Sequence, residues 1–378
     1  MVNWKKIFDF VLPTKIIFGC GCTAQVANEL MAIGGRRPLI ITDKGIVQTG
    51  ILNQVTQPLA TMGIDFMVFD NVEPNPKDKN VEAGARMAKD FKADSLIAVG
   101  GGSPIDCAKS IGVLLAHGAE KIKPFEGKTA ATMPQPPFIT IPTTAGSGSE
   151  ITFSSVITDT QNGYKMTVKS PFTAANTAIC DPELTLSMPS LLTAATGIDA
   201  LTHAIEGFTA TCSEPLADAT ALYAIEIIST NLVQAFHHPD DLNARSAMLM
   251  GSVLAGIAFS HADVASVHCV AESLGSVYDL PHGVCNAIFL PYVMEYNLDY
   301  CRDRYARVAR AMGFNFDSVE TGARLAVDHI KQLTDDVRLP AFSSLPVDPI
   351  KFGLIAEMSY KNGSNASNPR PMTQADYM

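Results

Sequence analysis

The two halves of this 378-residue chain carry different hydrophobic patterns, and this contrast limits the possible folds more than any other feature. From about Phe8 to Leu184, short runs of β-branched and aliphatic residues alternate with helical stretches. After Met188, Ala, Leu, Ile and Glu predominate at helical spacing. Alternating strands and helices are typical of a parallel sheet with helices on both faces. The sequence therefore predicts an α/β domain at residues 1–187 and an all-helical domain at residues 188–378.

Within each half, the pattern assigns individual elements. Strands are predicted at residues 37–42, 66–69, 95–99 and 138–141. In the same half, one helix is predicted between the first of these strands and about Gln57, because Pro58 would end it. Two further helices are predicted at residues 81–91 and 104–116. In the second half, helical spacing covers residues 189–237, 244–275 and 305–333.

The overall composition excludes several classes of protein. Charged residues make up 17% of the chain and the mean hydropathy is +0.15, values that argue against a disordered chain. The net charge of −10, without a long run of Lys or Arg, argues against nucleic acid or an anionic membrane as a partner. No run of uninterrupted apolar residues is long enough for a membrane-spanning helix. We therefore expect a globular protein with a small-molecule partner.

The N-terminal segment and the cysteines bear on the cellular compartment. Residues 1–15 lack the apolar run of an export signal. The eight cysteines are scattered through apolar contexts without Cys-x-x-Cys spacing, unlike the disulfide framework of short secreted chains. We expect reduced, structural thiols in a cytoplasmic protein.

A glycine-rich turn follows the strand predicted at residues 95–99. In Gly100-Gly101-Gly102-Ser103-Pro104, the glycines allow close approach of the backbone, the serine suits a helix N-cap and the proline suits the first helical position. Because the free N–H groups of a helix N-terminus bind phosphate, the turn predicts a phosphate site. The pattern is not Gly-x-Gly-x-x-Gly, and a tight connection without a ligand has the same features.

Two further segments follow predicted strands and carry polar side chains. Asp43 comes directly after residues 37–42, where a carboxylate accepts hydrogen bonds from ribose hydroxyls and repels a 2′-phosphate, so it favours NAD over NADP. An Asp that only caps its own loop is the alternative. Thr143, Thr144 and Ser147 lie in a segment rich in hydroxyls and glycine, which predicts a second ligand-facing loop.

A set of histidines and one aspartate predicts a metal site. Asp199 and His203 are four residues apart on a helical pattern, so they share a helix face. His268 lies in a second helical stretch, and His282 lies in a predicted loop that can return towards the first helix. One carboxylate and three imidazoles, without thiolate, suit divalent Fe or Zn. Unrelated core or surface histidines are the alternative. Four other histidines are interpreted as structural: His117, His237, His238 and His329.

Six motifs are spread over nearly the whole chain. They are Pro74-Asn75-Pro76, the glycine turn with Asp106, Pro142-Thr143-Thr144-Ala145-Gly146, Asp181-Pro182-Glu183-Leu184-Thr185, the segment from Thr196 to Glu206, and Leu280-Pro281-His282-Gly283-Val284. Together they resemble the iron-containing (group III) alcohol dehydrogenase family. The resemblance implies an N-terminal dinucleotide-binding α/β domain, an all-α C-terminal domain of dehydroquinate synthase-like architecture, and a metal in the cleft between them.

The resemblance also implies roles for particular residues. The implied ligands of Fe²⁺, with Zn²⁺ as the alternative, are Asp199, His203, His268 and His282. The implied pyrophosphate turn is Gly101-Gly102-Ser103. The other residues implied to bind NAD are Asp43, Asn75, Asp106, Thr143, Thr144, Ser147, Lys165 and Leu184.

One segment departs from the family pattern. Family members usually carry a second histidine four residues after the first, whereas this chain has Glu272 four residues after His268. Three interpretations remain open: Glu272 accepts the proton, Glu272 supports a ligand without touching the substrate, or His261 takes over proton transfer. Phe153 and Phe259 are predicted to form the apolar wall of a small substrate pocket.

The implied activity is NAD-dependent, metal-dependent interconversion of a small primary alcohol and its aldehyde, as an alcohol dehydrogenase or aldehyde reductase. The metal would act as a Lewis acid on the substrate oxygen while hydride passes to or from NAD. Two alternatives are a lyase resembling dehydroquinate synthase, in which Glu typically stands in place of Asp199, and a catalytically silent NAD-binding module. The family also implies a homodimer or larger homo-oligomer. Residues 368–378 match a family motif but stop where a final helix often continues, which suggests a shortened end.

Overall fold

The computed structural model describes residues 7–378. The expectation that the chain lacks an export signal rests partly on residues 1–6, which lie outside the described residues. The chain divides into two compact units. The α/β unit comprises Leu12–Thr144 and Ser149–Ser187, and the helical unit comprises residues 7–11, Ala145–Gly148 and Met188–Met378.

The α/β unit is built on a six-stranded parallel sheet. Its strands are β1 (Lys15–Phe18), β2 (Pro38–Ile41), β3 (Met67–Phe69), β4 (Ser95–Gly100), β5 (Phe138–Pro142) and β8 (Thr177–Cys180). They lie in the order β1-β8-β5-β4-β2-β3, with every neighbouring pair parallel. The four strands predicted from the sequence overlap β2, β3, β4 and β5.

The central strands are buried on both faces, as expected for a parallel sheet covered by helices. Alternate residues of a strand point to opposite faces. In β2, Leu39 and Ile41 belong to one apolar cluster and Ile40 belongs to another. In β4, Leu96 and Ile97 divide between the same two clusters. The continuous apolar runs of the first half therefore supply two cores, one on each side of the sheet.

Five helices complete most of this unit: α1 (Val26–Ala32), α2 (Lys44–Thr49), α3 (Ile51–Thr61), α4 (Asp78–Phe91) and α5 (Gly102–His117). The prediction that a helix ends before Pro58 was wrong, because α3 continues to Thr61. Proline removes one backbone donor, and the single turn that follows is closed by Met62 N–H, which donates to the carbonyls of Pro58 and Leu59.

A hairpin in the α/β unit was not predicted. Strands β6 (Ser154–Asp159) and β7 (Tyr164–Lys169) form an antiparallel two-stranded sheet. Asp159 Oδ1 accepts from the backbone N–H groups of Gln161 and Asn162, and Gly163 adopts a φ of +69°. An Asp that bonds its own turn, followed by Asn-Gly, is a hairpin signal that the sequence contained.

The helical unit contains no strand among its described residues. Its helices are α6 (Ser190–Thr209), α7 (Pro215–His237), α8 (Leu242–Ala262), α9 (Ser266–Tyr278), α10 (His282–Ala311), α11 (Val319–Asp336), α12 (Phe352–Lys361) and α13 (Gln374–Tyr377). An α/β part followed by an all-helical part confirms the predicted fold class.

Polar side chains at the N-caps divide the long helical stretches into separate helices. The buried Glu214 carboxylate accepts from the backbone N–H groups of Leu216 and Ala217 at the start of α7. Asp241 caps α8 and Ser318 caps α11 in the same manner. Each such cap contributes about 1 kcal/mol, so these residues fix where the helices begin.

Two of these helices, α7 and α8, are long and apolar enough to cross a membrane by length and composition. Core helices that pack inside a folded unit meet the same criterion. Gly251 of α8 leaves space for Ile228 of α7, and Gly197 of α6 leaves space for Leu232 of α7. The apolar residues of α7 are thus used, at least in part, to pack against neighbouring helices.

Candidate metal and cofactor sites

Helix α6 presents two of the predicted metal ligands on one face. Asp199 and His203 are four residues apart, so their side chains lie one turn from each other. Both residues are buried. The ring of Phe259, from α8, stacks on the His203 ring with a centroid separation of 4.3 Å.

The other two predicted ligands lie at the starts of α9 and α10. His268 is the third residue of α9. The sequence predicted a loop around His282, but His282 is the first residue of α10, with Pro281 as its N-cap. A Cβ at Gly283 would lie 2.6 Å from the carbonyl oxygen of Ala195, so glycine is required for this start of α10 to approach α6.

The four side chains converge, and we call Asp199, His203, His268 and His282 the ligand cluster. One ligand atom from each residue lies within 4.8 Å of the others. Asn286, one turn after His282, marks the point of convergence: its Nδ2 lies 2.6 Å from Asp199 Oδ1 and 3.1 Å from the Nε2 atom of both His268 and His282. Asn286 Oδ1 is buried and has no hydrogen-bond partner among residues 7–378. Three acceptor atoms aimed at one point fit a divalent cation.

The protonation states of the ligand cluster also suit a cation. Burial lowers the pKa of His203 to about 4, against the opposing charge of Asp199, so this ring is neutral at pH 7 and keeps a free lone pair. Burial alone would raise the pKa of Asp199, but His203, His282 and His268 hold that pKa below its usual value. The cluster therefore offers a carboxylate and nitrogen lone pairs, which are ligands for Fe²⁺ or Zn²⁺.

Glu206 holds His268 on the side of the ring away from Asn286. Its Oε2 lies 2.5 Å from His268 Nδ1, and its two oxygens accept from the backbone N–H groups of Ala265 and Val267. Burial would lower the pKa of His268, but the hydrogen bond and charge of Glu206 raise it above its usual value.

Glu206 and Asn286 were not predicted as site residues. Glu206 is seven residues after Asp199, which is two helical turns on the same face, so the spacing contained a usable signal. Asn286 is four residues after His282, but this spacing has meaning only in a helix, and a loop had been predicted there.

Glu272 and His261, the two candidates for proton transfer, have different surroundings. Glu272 lies one turn after His268 on α9, and its Oε2 accepts from Asn362 Nδ2 at 2.6 Å. Its charge contributes to raising the pKa of His268. His261 lies near the end of α8, where its Nε2 is 3.0 Å from the carbonyl oxygen and 3.2 Å from the backbone nitrogen of Val11. The structure thus places Glu272 beside a ligand and His261 against the N-terminal segment.

The glycine turn lies between β4 and α5. Gly100 has a φ of +147°, and a side chain there would collide with the first turn of α5. The predicted N-cap Ser103 was wrong by two residues: α5 begins at Gly102 with Gly101 as N-cap, because the chain turns already at Gly100. Thr143 N–H donates to the Gly100 carbonyl, and Thr144 lies against Gly101. A helix N-terminus beside two threonines is a suitable phosphate site.

Other predicted cofactor residues occupy varied positions in the α/β unit. Asp43 Oδ1 accepts from Ile46 N–H and caps α2. The hydrogen bond expected from the alternative interpretation, an Asp that caps its own loop, is therefore present. Asn75 Oδ1 accepts from Lys165 Nζ at 2.8 Å. Leu184 is buried in the apolar cluster that contains Ile40.

The remaining predicted residues are divided between the units. Ser147 lies in the short stretch 145–148 of the helical unit. Phe153 belongs to the α/β unit, where Lys169 Nζ lies 5.5 Å from its ring centroid, and Phe259 belongs to the helical unit, where it covers His203.

Asp106 takes part in a second buried polar cluster, which we call the lysine cluster: Asp106, Lys109, Ser149, Glu150 and Thr152. Lys109 Nζ donates to Ser149 Oγ, Thr152 Oγ1 and the Ser154 carbonyl, at 2.7–3.1 Å. Asp106 accepts from Ser149 Oγ and from Val156 N–H. The Asp106 carboxylate therefore ties α5 to the segment after β5.

Comparisons with known proteins identify the family. Residues 13–182 match the family model "Iron-containing alcohol dehydrogenase", and residues 193–378 match "Fe-containing alcohol dehydrogenase family, C-terminal". The chain belongs to the iron-containing alcohol dehydrogenase family. It is 40% identical to the 1,3-propanediol dehydrogenase of Citrobacter freundii, over 97% of this chain and 95% of that protein.

Two solved structures resemble the chain over nearly its whole length. A crystal structure of 1,3-propanediol oxidoreductase superposes with a TM-score of 0.96, at 38% identity over 98% of each chain. Sulfoacetaldehyde reductase from Bifidobacterium kashiwanohense, solved in complex with NAD⁺, gives a TM-score of 0.89, at 29% identity over 98% of this chain and 97% of that one.

Membership of the iron-containing alcohol dehydrogenases confirms the predicted enzyme class. The protein is an oxidoreductase of the alcohol/aldehyde type, and the lyase and the silent module are not favoured. The predicted cofactors, divalent iron and NAD, agree with the family, with the NAD⁺ complex of the relative and with the ligand cluster.

Proposed function

We propose that this enzyme interconverts a small primary alcohol and its aldehyde, with divalent iron held by the ligand cluster. The observation that carries the proposal is the convergence of four ligand atoms within 4.8 Å, together with three acceptor atoms directed at the position of Asn286 Nδ2. An acceptor-only set in a buried site is stable when a cation completes it.

The residues of the ligand cluster have distinct tasks in this scheme. When bound, NAD takes up or returns a hydride, and the iron supplies Lewis acidity to the substrate oxygen. Asp199 contributes one negative charge against the two positive charges of the cation, which leaves net positive charge for that oxygen. The neutral His203 supplies a lone pair, and Phe259 covers its ring and excludes water from that side. Phe153 is the second proposed pocket residue.

The proposed NAD site uses the glycine turn. The N–H groups at the start of α5, in Gly101-Gly102-Ser103, would hold the pyrophosphate, since a helix N-terminus attracts anions. Asp43, at the end of β2, would accept from the ribose hydroxyls and select NAD over NADP. The residues proposed to complete the site are Asn75, Asp106, Thr143, Thr144, Ser147, Lys165 and Leu184.

Replacing His268 or His282 with Ala tests the metal proposal. Each variant should lose bound metal and, with it, turnover, because each removes one ligand. Metal analysis of the purified protein and an absorbance assay for NADH, across small alcohols, measure both. His329→Ala is the matched control, since His329 lies against Phe314 in the same unit and outside the ligand cluster. A His282→Ala enzyme that turns over without metal contradicts the proposal.

For proton transfer we propose Glu272 over His261, because Glu272 lies one helical turn from His268, whereas His261 contacts Val11 in the N-terminal segment. Glu272→Gln should lower alcohol oxidation by about 100-fold and change the pH–rate profile, since general bases contribute roughly 10²–10⁴ in rate. His261→Gln should leave the profile unchanged. A Glu272→Gln profile identical to that of the wild type removes Glu272 from the proton path.

The assembly and compartment of the enzyme are also proposed. We expect a homodimer or larger homo-oligomer, which sedimentation analysis of the purified protein measures. We propose a cytoplasmic location, supported by eight cysteines that form no disulfide within the described chain. Burial raises the pKa of the Cys22 and Cys301 thiols to about 12, so these thiols are unreactive. A disulfide in the native protein would contradict this assignment.

A further inference from the structure

Glu206 is a buried carboxylate that touches a proposed metal ligand from behind. It is 3% exposed, and its Oε2 lies 2.5 Å from Nδ1 of His268. The other ring nitrogen, Nε2, is the atom that lies 3.1 Å from Asn286 Nδ2 at the convergence point. The two nitrogens of one imidazole therefore face different partners, a carboxylate and the cation position.

The contact fixes the tautomer of His268. A carboxylate at this distance accepts a hydrogen bond, so Nδ1 carries the proton, and the neutral ring then has its lone pair on Nε2. The opposite tautomer would place an Nε2 proton at the convergence point and a lone pair against the Glu206 carboxylate.

Glu206 is itself held in place by the backbone. Its Oε2 accepts from Ala265 N–H at 3.0 Å and its Oε1 accepts from Val267 N–H at 2.7 Å. These N–H groups lie at the start of α9, immediately before His268. The carboxylate thus joins α6, which carries Asp199 and His203, to the helix that carries His268.

We propose that Glu206 is a positioning residue of the metal centre, which sets the tautomer and orientation of His268 and increases the metal affinity of the folded protein. This inference rests on the proposed metal centre. Carboxylates or carbonyls that accept from a metal-bound histidine change metal affinity by about 10–100-fold when removed.

The chain offers a matched control for the structural part of this role. Glu214 is also 3% exposed and also accepts from two backbone N–H groups at the start of a helix, those of Leu216 and Ala217. Glu214 is not part of the ligand cluster, and both of these hydrogen bonds come from the backbone of α7. Glu206→Gln and Glu214→Gln therefore remove a comparable capping charge, but only the first changes the support of His268.

The experiment measures the Zn²⁺ affinity of the full-length chain by competition with a chelator, for the wild type and both variants. Glu206→Gln should bind Zn²⁺ 10–100-fold more weakly than the wild type. Glu214→Gln should bind within about threefold of the wild type, because all ligand contacts remain. Equal affinities for the two variants overturn the proposal.

A second measurement does not require a Glu206 variant. In the wild type loaded with Zn²⁺, ¹⁵N spectra of the histidine rings should show a protonated Nδ1 and a metal-bound Nε2 for His268, assigned by comparison with His268→Gln. Metal on Nδ1 overturns the inference. If the wild type binds no metal at all, the metal centre fails; if the wild type binds Zn²⁺ and Glu206→Gln binds it equally well, only the role of Glu206 fails.

Discussion

Each unit buries a cluster of ionisable side chains, and the two clusters differ in the source of their positive charge. In the lysine cluster of the α/β unit, the buried ammonium group of Lys109 donates to three oxygens and lies 3.7 Å from Asp106 Oδ1. In the ligand cluster of the helical unit, the converging atoms are acceptors, and the donor at their centre is the neutral amide of Asn286. The first cluster contains its cation, whereas the second requires one from solution.

The difference separates a cluster that balances its own charge from one that can bind a metal ion. Burying polar groups costs free energy unless they are paired, and Lys109 pairs its neighbours as soon as the chain folds. The ligand cluster reaches the same balance only when a metal binds. A count of buried ionisable residues would not distinguish the two clusters; the presence or absence of an internal cation does.

Removing the internal cation should have the largest effect on stability. Lys109→Met leaves the Asp106 carboxylate without its compensating charge in a buried position, and we expect a loss of about 3–5 kcal/mol in the free energy of unfolding. Urea denaturation of the two proteins measures it.

Lys79→Met is the control for the lysine substitution. Lys79 is 62% exposed and pairs with Glu73 at 3.4 Å on the surface, so its removal should cost less than about 1 kcal/mol. If Lys109→Met is no more destabilising than Lys79→Met, the lysine cluster is not held by its ammonium group.

Adding the external cation should have the next largest effect. At a metal concentration 100 times the dissociation constant, binding stabilises the folded protein by about 2.7 kcal/mol, so Fe²⁺ or Zn²⁺ should raise the Tm of the metal-free wild type. His282→Ala should show no such increase, and Lys79→Met should show the full one. Scanning calorimetry with and without metal measures the shift. An equal increase for His282→Ala would show that the metal binds elsewhere.

The fold could be predicted where the hydrophobic periodicity of the sequence matches the burial of the residues in the structure. In β2 and β4, continuous apolar runs between turn signals identify strands buried on both faces, and the helical spacing after Met188 identifies the helical unit. The hairpin β6–β7 was missed because its outer positions are only half-buried and its apolar run is short. The end of α3 was missed because one turn after Pro58 is closed by backbone bonds that composition does not report.

Side-chain chemistry and helical spacing were sufficient to predict the four ligands of the site, but not the contacts that depend on how the helices pack. Asp199 and His203 share a face by spacing alone, and His268 and His282 add the same chemistry. The contact of Glu206 with His268 joins residues 62 positions apart, so it depends on how α6 and α9 pack. The role of Asp106 in the lysine cluster likewise depends on Ser149, which lies 43 residues away.

The smallest of these effects concerns a carboxyl group of the lysine cluster. Burial raises the pKa of Glu150 to about 7 from 4.5, with Lys109 opposing, so the folded protein holds a proton there that the unfolded chain has lost. Stability should therefore fall as pH rises from about 4.5 to about 7, by roughly 1 kcal/mol per pH unit in the middle of this range. Glu150→Gln cannot titrate, so the stability difference between variant and wild type should shift by this amount in favour of the variant between pH 5.2 and 6.2 in urea titrations.

Glu357→Gln, at an exposed ion pair with Lys361, is the control and should show no such shift. A pH-independent difference for Glu150→Gln would mean that Glu150 is already ionised at pH 5.2, and the lysine cluster would then hold two carboxylates against one ammonium group.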